Sequence, residues 1–219
     1  MSDDIKKSWT QSFSGQQFFP FDMERNKFLV ADIAHSLALV NRFNGHTKVP
    51  YSVAQHSVYV SLECDHKDAF WGLVHDSSES AVGDLISPIK KFMPAYVEVE
   101  NSVMASICNR FKLSPDMPAS VKKADLTVLA AESRDLFPVK PADWNLPYPP
   151  STELIVPMSW REAEQLWLQR FVVLWPGHMA SVEEQLLEEG LKTTVRAKVM
   201  REMRAIEKEA EVALREALK

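Results

Sequence analysis

The sequence predicts an all-α protein, and three observations carry that expectation. Apolar residues recur at three- and four-residue steps in most segments, for example Val30, Ile33, Ala34, Leu37 or Val99, Val103, Ile107, the stripe of a helix with one buried face. Two segments open on Ser with Gln or Glu three residues later, Ser52/Gln55 and Ser159/Glu162, the pattern of a capping box. No stretch reads clearly as a strand, and no internal repeat is visible.

The elements follow in order. Residues 1–28 are polar and aromatic with scattered Gly and Pro, and read as an arm packed on the domain surface. A first helix starts at Val30 and ends near Phe43, with Asn44-Gly45 as its stop. A second opens at Ser52, with Gln55 reaching back to close the box and His56 near the first turn. A third runs from about Lys67 through Val74. Residues 95–111 form a fourth, and another starts near Pro118 and runs through Asp125 to Arg134. Proline density in FPVKPADWNLPYPPSTELIVP forbids a long helix there and predicts a structured loop. The helix after Ser159 carries Ala163, Leu166, Trp167, Phe171 and Leu174, and Pro176-Gly177 stops it. The expected organisation is an arm over 1–28, a core over 29–176 and an amphipathic helical extension over 177–219. In that extension Val199, Met203, Ile206 and Ala210 mark a heptad-like stripe. Such a stripe suits docking on the domain or a homo-oligomer, weak because several seam positions are Ala.

Composition narrows the function classes. A chain of 219 residues, 46% hydrophobic and 25% charged, is ordinary globular material. Two cysteines, Cys64 and Cys108, are too few for a disulfide framework and read as core thiols in a reducing, cytoplasmic setting. No secretory signal and no apolar run of membrane-spanning length is seen, so no membrane partner is expected. A net charge of −5 argues against a large nucleic-acid footprint.

The chemistry-bearing residues lie on three segments: His56, then His75-Asp76, then Asp125. Two imidazoles and two carboxylates form a mixed N/O ligand set that suits one divalent ion, with positions left for water or substrate. Adjacent His and Asp reach one ion only where a helix ends or distorts, because neighbours on a regular helix point about 100° apart. The SSES run that follows is compatible with such an irregularity. The set tolerates Mn, Co, Zn, Fe, Ni or Mg.

In this order, His … His-Asp … Asp resembles the signature of the HD-domain phosphohydrolases. RF at 42–43, YSVAQHS at 51–57, LVHDSSES and VGDLISPIK within 73–90, and VKKAD with LAAE around Asp125 resemble the bacterial 5′-deoxynucleotidase branch and its phage relatives, which include dATP triphosphohydrolases. The resemblance covers roughly residues 12–175 and leaves the tail outside it. It implies an HD-domain helical bundle that binds one divalent metal and hydrolyses a deoxynucleotide. Matched position by position, His56, His75, Asp76 and Asp125 are the metal ligands. Glu79 and Asp84 are the catalytic acidic pair around the attacking water. Arg42 faces the substrate, and Phe43 stands where many relatives have Trp. Asp84, Leu85, Ile86, Ser87 and Pro88 form the substrate-contacting loop. For a phage-encoded chain the setting would be the host cytoplasm.

The residue types suit that chemistry. A metal neutralises phosphoryl charge and lowers a bound water's pKa to about 7 in favourable sites. A carboxylate nearby can position the water or protonate the leaving oxygen. Arg42 offers a fork for phosphate. Two reactions are compatible with one site: removal of the 5′-phosphate from a deoxynucleoside monophosphate, and hydrolysis of a dNTP of the dATP type. A non-catalytic nucleotide-binding or interaction module is the alternative of another class.

Overall fold

In a computed structural model the structure describes residues 5–139 and 143–175. The expected helical extension over 177–219 lies outside the described residues. Among the described residues the fold is all-α apart from one small hairpin. Helices α1 (Val30–Leu39), α2 (Val53–Glu63), α3 (Ala69–Val74), α4 (Glu79–Val82), α5 (Ser87–Lys90), α6 (Pro94–Phe111), α7 (Ala119–Asp135) and α8 (Trp160–Leu174) follow in order. None of these is long and apolar enough to cross a membrane.

Helix α2 is the centre of the bundle and packs against α1, α3, α7 and α8. Its buried residues are largely small or β-branched (Val53, Ala54, Ser57, Val58, Val60, Ser61), which lets neighbouring backbones come close. At Gly72 of α3 a Cβ would stand 2.9 Å from Cys64 Sγ and 3.1 Å from Ser61 Cα, so any larger residue would push the Cys64 side chain and the α2 backbone away. Helix α8 closes the main core. Trp167 is fully buried, stacks on Phe171, and donates its indole N–H to the Leu73 carbonyl at 3.2 Å. The tryptophan-bearing helix is therefore core. A second apolar cluster, with Val60, Trp71, Cys108, Val121 and Val128, joins α2, α3, α6 and α7. Cys108 is buried as expected, whereas Cys64 is only half-buried.

Three expectations are corrected. The arm contains strands β1 (Thr10–Gln11) and β2 (Gln17–Phe18), paired antiparallel. Two-residue strands leave no periodicity to read. The hairpin is tied to α1: Ser14 donates its backbone N–H and its hydroxyl to Asp32, at 2.7 and 2.8 Å. Second, α1 stops at Leu39, short of Phe43. Asn41 bridges to Ser52, Arg42 N–H donates to the Tyr51 carbonyl at 2.9 Å, and Val53 N–H donates to the Val40 carbonyl. These long-range bonds pull the chain out of the helix, and Phe43 and Asn44 take left-handed φ values of 57° and 50°. Third, the box at Ser52 is half formed. The Ser52 side chain accepts from the Gln55 N–H, but Gln55 is buried. Its amide donates to the Val156 carbonyl at 2.7 Å and accepts from the Met158 N–H, so it pins the proline-rich loop instead. The box at Ser159/Glu162 is complete.

Candidate metal centre

His56 lies at the first turn of α2, where its N–H donates to the Ser52 carbonyl. It is fully buried. His75 and Asp76 follow the end of α3. There Ser77 N–H donates to the Val74 carbonyl and Glu79 N–H to the Asp76 carbonyl, three-residue turns tighter than an α-helix. That tightening lets adjacent side chains converge, as the sequence required. Asp125 projects from α7, whose buried Val121, Ala124 and Val128 set the helix against the core.

The ligand atoms meet. Suitable atoms of His56, His75 and Asp125 all lie within 4.8 Å of one another, an arrangement that could hold a metal ion. The two Nε2 atoms are 3.3 Å apart, and Asp125 Oδ1 is 3.5 Å from His56 Nε2. Asp76 Oδ2 stands 3.1 Å from His75 Nε2 and 3.5 Å from His56 Nε2. The opposite ring nitrogens are committed elsewhere. His56 Nδ1–H donates to Glu132 Oε1 at 2.7 Å, and His75 Nδ1–H to the Gly72 carbonyl at 2.8 Å. With Nδ1–H committed behind, each ring turns Nε2 toward the common point, the orientation metal-ligating histidines share, so that losing any Nε2 proton would leave a lone pair there. The donor set fits a divalent ion.

Glu132 was not singled out by the residues alone. It is fully buried, and its other oxygen accepts from Arg42 Nη2 at 3.1 Å. Its signal in the sequence is an acid two turns after Asp125 on the packed face of a helix. Arg42 also approaches Asp76 Oδ2 at 3.5 Å through Nη1, and its guanidinium carbon lies 5.2 Å from the centre of the Phe43 ring. Phe43 in turn meets Phe137 and Trp144, a half-exposed aromatic group beside the centre.

Glu79 opens α4 and is buried, with Oε2 lacking a hydrogen-bond partner. Gly83, at φ 81°, ends that helix and turns the chain toward Asp84. The segment 83–86 has no regular structure, and Ser87 and Pro88 open the short α5. Leu85 and Ile86 are half-buried, and Ser87 and Pro88 are exposed. Lys90 is not free for substrate: it pairs with Glu100 at 2.8 Å. His35 is structural, stacked on Phe13 and bonded to Glu164 at 3.1 Å. A cavity of about 420 Å³ lies away from the centre, between the arm hairpin and α1.

The electrostatics follow from burial and crowding. Burial, then Asp76 and Asp84, push the Glu79 carboxyl up to about 10, so it is neutral at pH 7 in the metal-free chain. Burial also raises Asp84. Burial would raise Asp76, but His75 and His56 hold it well below the usual carboxylate range. Asp125 is held low in the same way, against burial, by its hydrogen bond to His56 and the charge of His75. Burial and Arg42 push His56 down, yet Glu132 and Asp125 outweigh them and lift it to about 9.

Fold and site together define an all-α protein with a buried His/Asp centre suited to a divalent ion. Its sequence is 35% identical to the uncharacterized protein YfdR of Escherichia coli (strain K12) over 167 residues, 75% of this chain and 94% of that protein. The chain belongs to the YfdR family. It is also 34% identical to the uncharacterized protein RCAP_rcc00048 of Rhodobacter capsulatus over 130 residues, 55% of this chain and 66% of the other. No family model matches the chain.

Proposed function

We propose that this protein is a metal-dependent phosphohydrolase of the HD type that removes the 5′-phosphate of deoxynucleoside monophosphates. One observation carries the reading. His56, His75 and Asp125 bring ligand atoms within 4.8 Å of one another, Asp76 Oδ2 lies 3.1 Å from His75 Nε2 and 3.5 Å from His56 Nε2, and both Nδ1 atoms are tied off behind. A divalent ion held there would neutralise phosphoryl charge and make a water nucleophilic at neutral pH.

The chain's own residues supply the rest. Arg42 presents a cation beside Asp76, its orientation set by Glu132. Burial raises the Glu79 carboxyl in the metal-free chain, a direction that supports a role as proton donor to the leaving 5′ oxygen. Asp84, less buried, suits the proton-accepting role. The segment from Asp84 to Pro88 and the Phe43 ring are the groups available to sugar and base. Arg42, Lys90 and Lys122 each pair with a carboxylate. With these three described cations already paired, the monophosphate is favoured over the dNTP reaction.

The test incubates metal-loaded protein with a panel of dNMPs, dNTPs and ribonucleotides and measures released phosphate. Release from dNMPs is expected; triphosphate release from dATP would move the assignment to the dNTP reaction. No turnover with any nucleotide overturns the enzyme reading. Asp76→Ala should lose metal and activity with the fold retained. If only folding suffers, the metal is structural.

A further inference from the structure

We propose that Glu132 is a positioning residue that holds the metal-facing imidazole of His56 and the guanidinium of Arg42 with the two oxygens of one carboxylate. The Arg42 half of this proposal rests on the phosphate-site reading above; the His56 half does not.

Glu132 and Asp125 sit seven residues apart on α7, hence on one face two turns apart. Asp125 reaches the centre directly and Glu132 reaches it from behind. Its Oε1 takes the His56 Nδ1–H at 2.7 Å and its Oε2 takes the Arg42 Nη2–H at 3.1 Å. From the other side, Asp76 Oδ2 lies 3.5 Å from both Arg42 Nη1 and His56 Nε2. The four side chains close a ring: His56, Glu132, Arg42, Asp76. Glu132 has no exposure, so water cannot replace either bond.

Arg42 needs that anchor. It leaves α1 on a segment whose next two residues are left-handed, an arrangement that non-glycine residues adopt only where the surroundings impose it. Its backbone N–H is fixed on Tyr51 and its fork on Glu132. Both ends of the side chain are set before any anion arrives.

Only a carboxylate can do this. Each oxygen of Glu132 accepts: one from the guanidinium, which can only donate, and one from the His56 Nδ1–H, which must donate if Nε2 is to face a metal. Glutamine has one acceptor, and its NH₂ must then face either the guanidinium or the imidazole. Facing the guanidinium, it repels Arg42. Facing His56 Nδ1, it demands the other tautomer, with the proton on Nε2, which cannot bind a metal.

The experiment compares wild type, Glu132→Gln, Arg42→Met and the double variant in the full chain. Metal affinity is read by competition of Mn²⁺ and Co²⁺ against a chromophoric chelator, with the Co²⁺ absorption spectrum as reporter of ligand geometry. Glu132→Gln should weaken metal binding about 10- to 100-fold and alter the Co²⁺ spectrum. Inorganic phosphate is then titrated into each protein at saturating metal. Arg42→Met should weaken phosphate binding strongly in the wild-type background and little in the Glu132→Gln background, because the two act through one contact. Wild-type metal affinity in Glu132→Gln, or additive losses of phosphate binding, overturns the proposal. Should Glu132→Gln not fold, Glu132→Asp keeps the charge but is one methylene short. An intermediate metal affinity then supports the proposal and an unchanged one overturns it. These readouts need no nucleotide turnover, so failure of the phosphohydrolase reading is told apart from failure of this one.

Discussion

The two sides of the centre differ in construction. On one side His56, His75, Asp125 and Glu132 come from α2, α3's end and α7, all in contact with the core, and both histidines and Glu132 are buried. On the other side, residues 83–93 form an irregular turn and the four-residue α5. Leu85 and Ile86 are half-buried, while Ile89 is 46% exposed and Phe92 81%. The ligand side is over-determined by packing and by bonds across long sequence distances. The rim is held by a few contacts, such as the Tyr96 hydroxyl donating to the Gly83 carbonyl at 2.5 Å. On the proposed function, chemistry would be mounted on the closely packed part and ligand contact on the sparsely held part.

That contrast can be broken most severely at His56. His56→Ala should abolish metal binding and leave Glu132 buried with one partner fewer, a loss on the order of 3–5 kcal/mol. Calorimetric metal titration and urea unfolding read both effects. Wild-type stability would mean the ligand side is less tightly built than described. Next is Gly72→Ala. The added Cβ meets Cys64 Sγ and the Ser61 backbone, and Gly72 also holds the His75 ring. We expect about 1–3 kcal/mol of destabilisation together with weaker metal binding, whereas an unchanged melting temperature would refute the close α2–α3 contact.

Two predictions use protonation. Glu79 is raised to about 10 when folded and titrates near 4.5 when unfolded. The unfolded chain therefore gains by ionising above about pH 4.5 while the folded chain does not, and metal-free stability falls from there toward pH 10. Glu79→Gln should flatten that slope and raise the metal-free melting temperature at pH 7, by about 2–4 °C for an effect on the order of 1 kcal/mol. A lower melting temperature would show that Glu79 is ionised and paired. His56 is raised to about 9 from 6.5, so its contribution is complete below pH 6.5 and lost as pH rises through about 9. Metal requires the neutral ring, so binding at pH 7 should release a proton and tighten as pH approaches 9. Titration in buffers of different ionisation enthalpy checks this; no proton release contradicts it. The smallest effect is expected on the rim. Ile89→Ala should change stability by less than about 0.5 kcal/mol and leave metal affinity unaltered, and a larger loss would blur the distinction between the two sides.

Much of the ligand side is readable from residues that are weak signals singly. A His-Asp pair ending an apolar run, a His after a capping serine and an Asp within an amphipathic helix gain weight as a set on three segments and from the resemblance they carry together. Arg42 was read as turned to the substrate, yet its fork is half occupied by Glu132 and Asp76, partners 90 and 34 residues away. Gln55 shows the same limit. Its spacing from Ser52 fits a capping box, but burial offered it the backbone of the 156–158 loop instead. The hairpin in the arm was missed because two-residue strands carry no pattern.

By itself the sequence determined the helical class, the placing of the longer helices and the residues able to ligate a metal, since periodicity, caps and residue chemistry are local properties. Only the tertiary structure decided where α1 ends, which nitrogen each histidine turns inward, and that Glu132 stands behind the centre. Those outcomes depend on hydrogen bonds between segments far apart in the chain, in places water cannot reach, where each buried donor and acceptor takes whatever partner the packing brings to it.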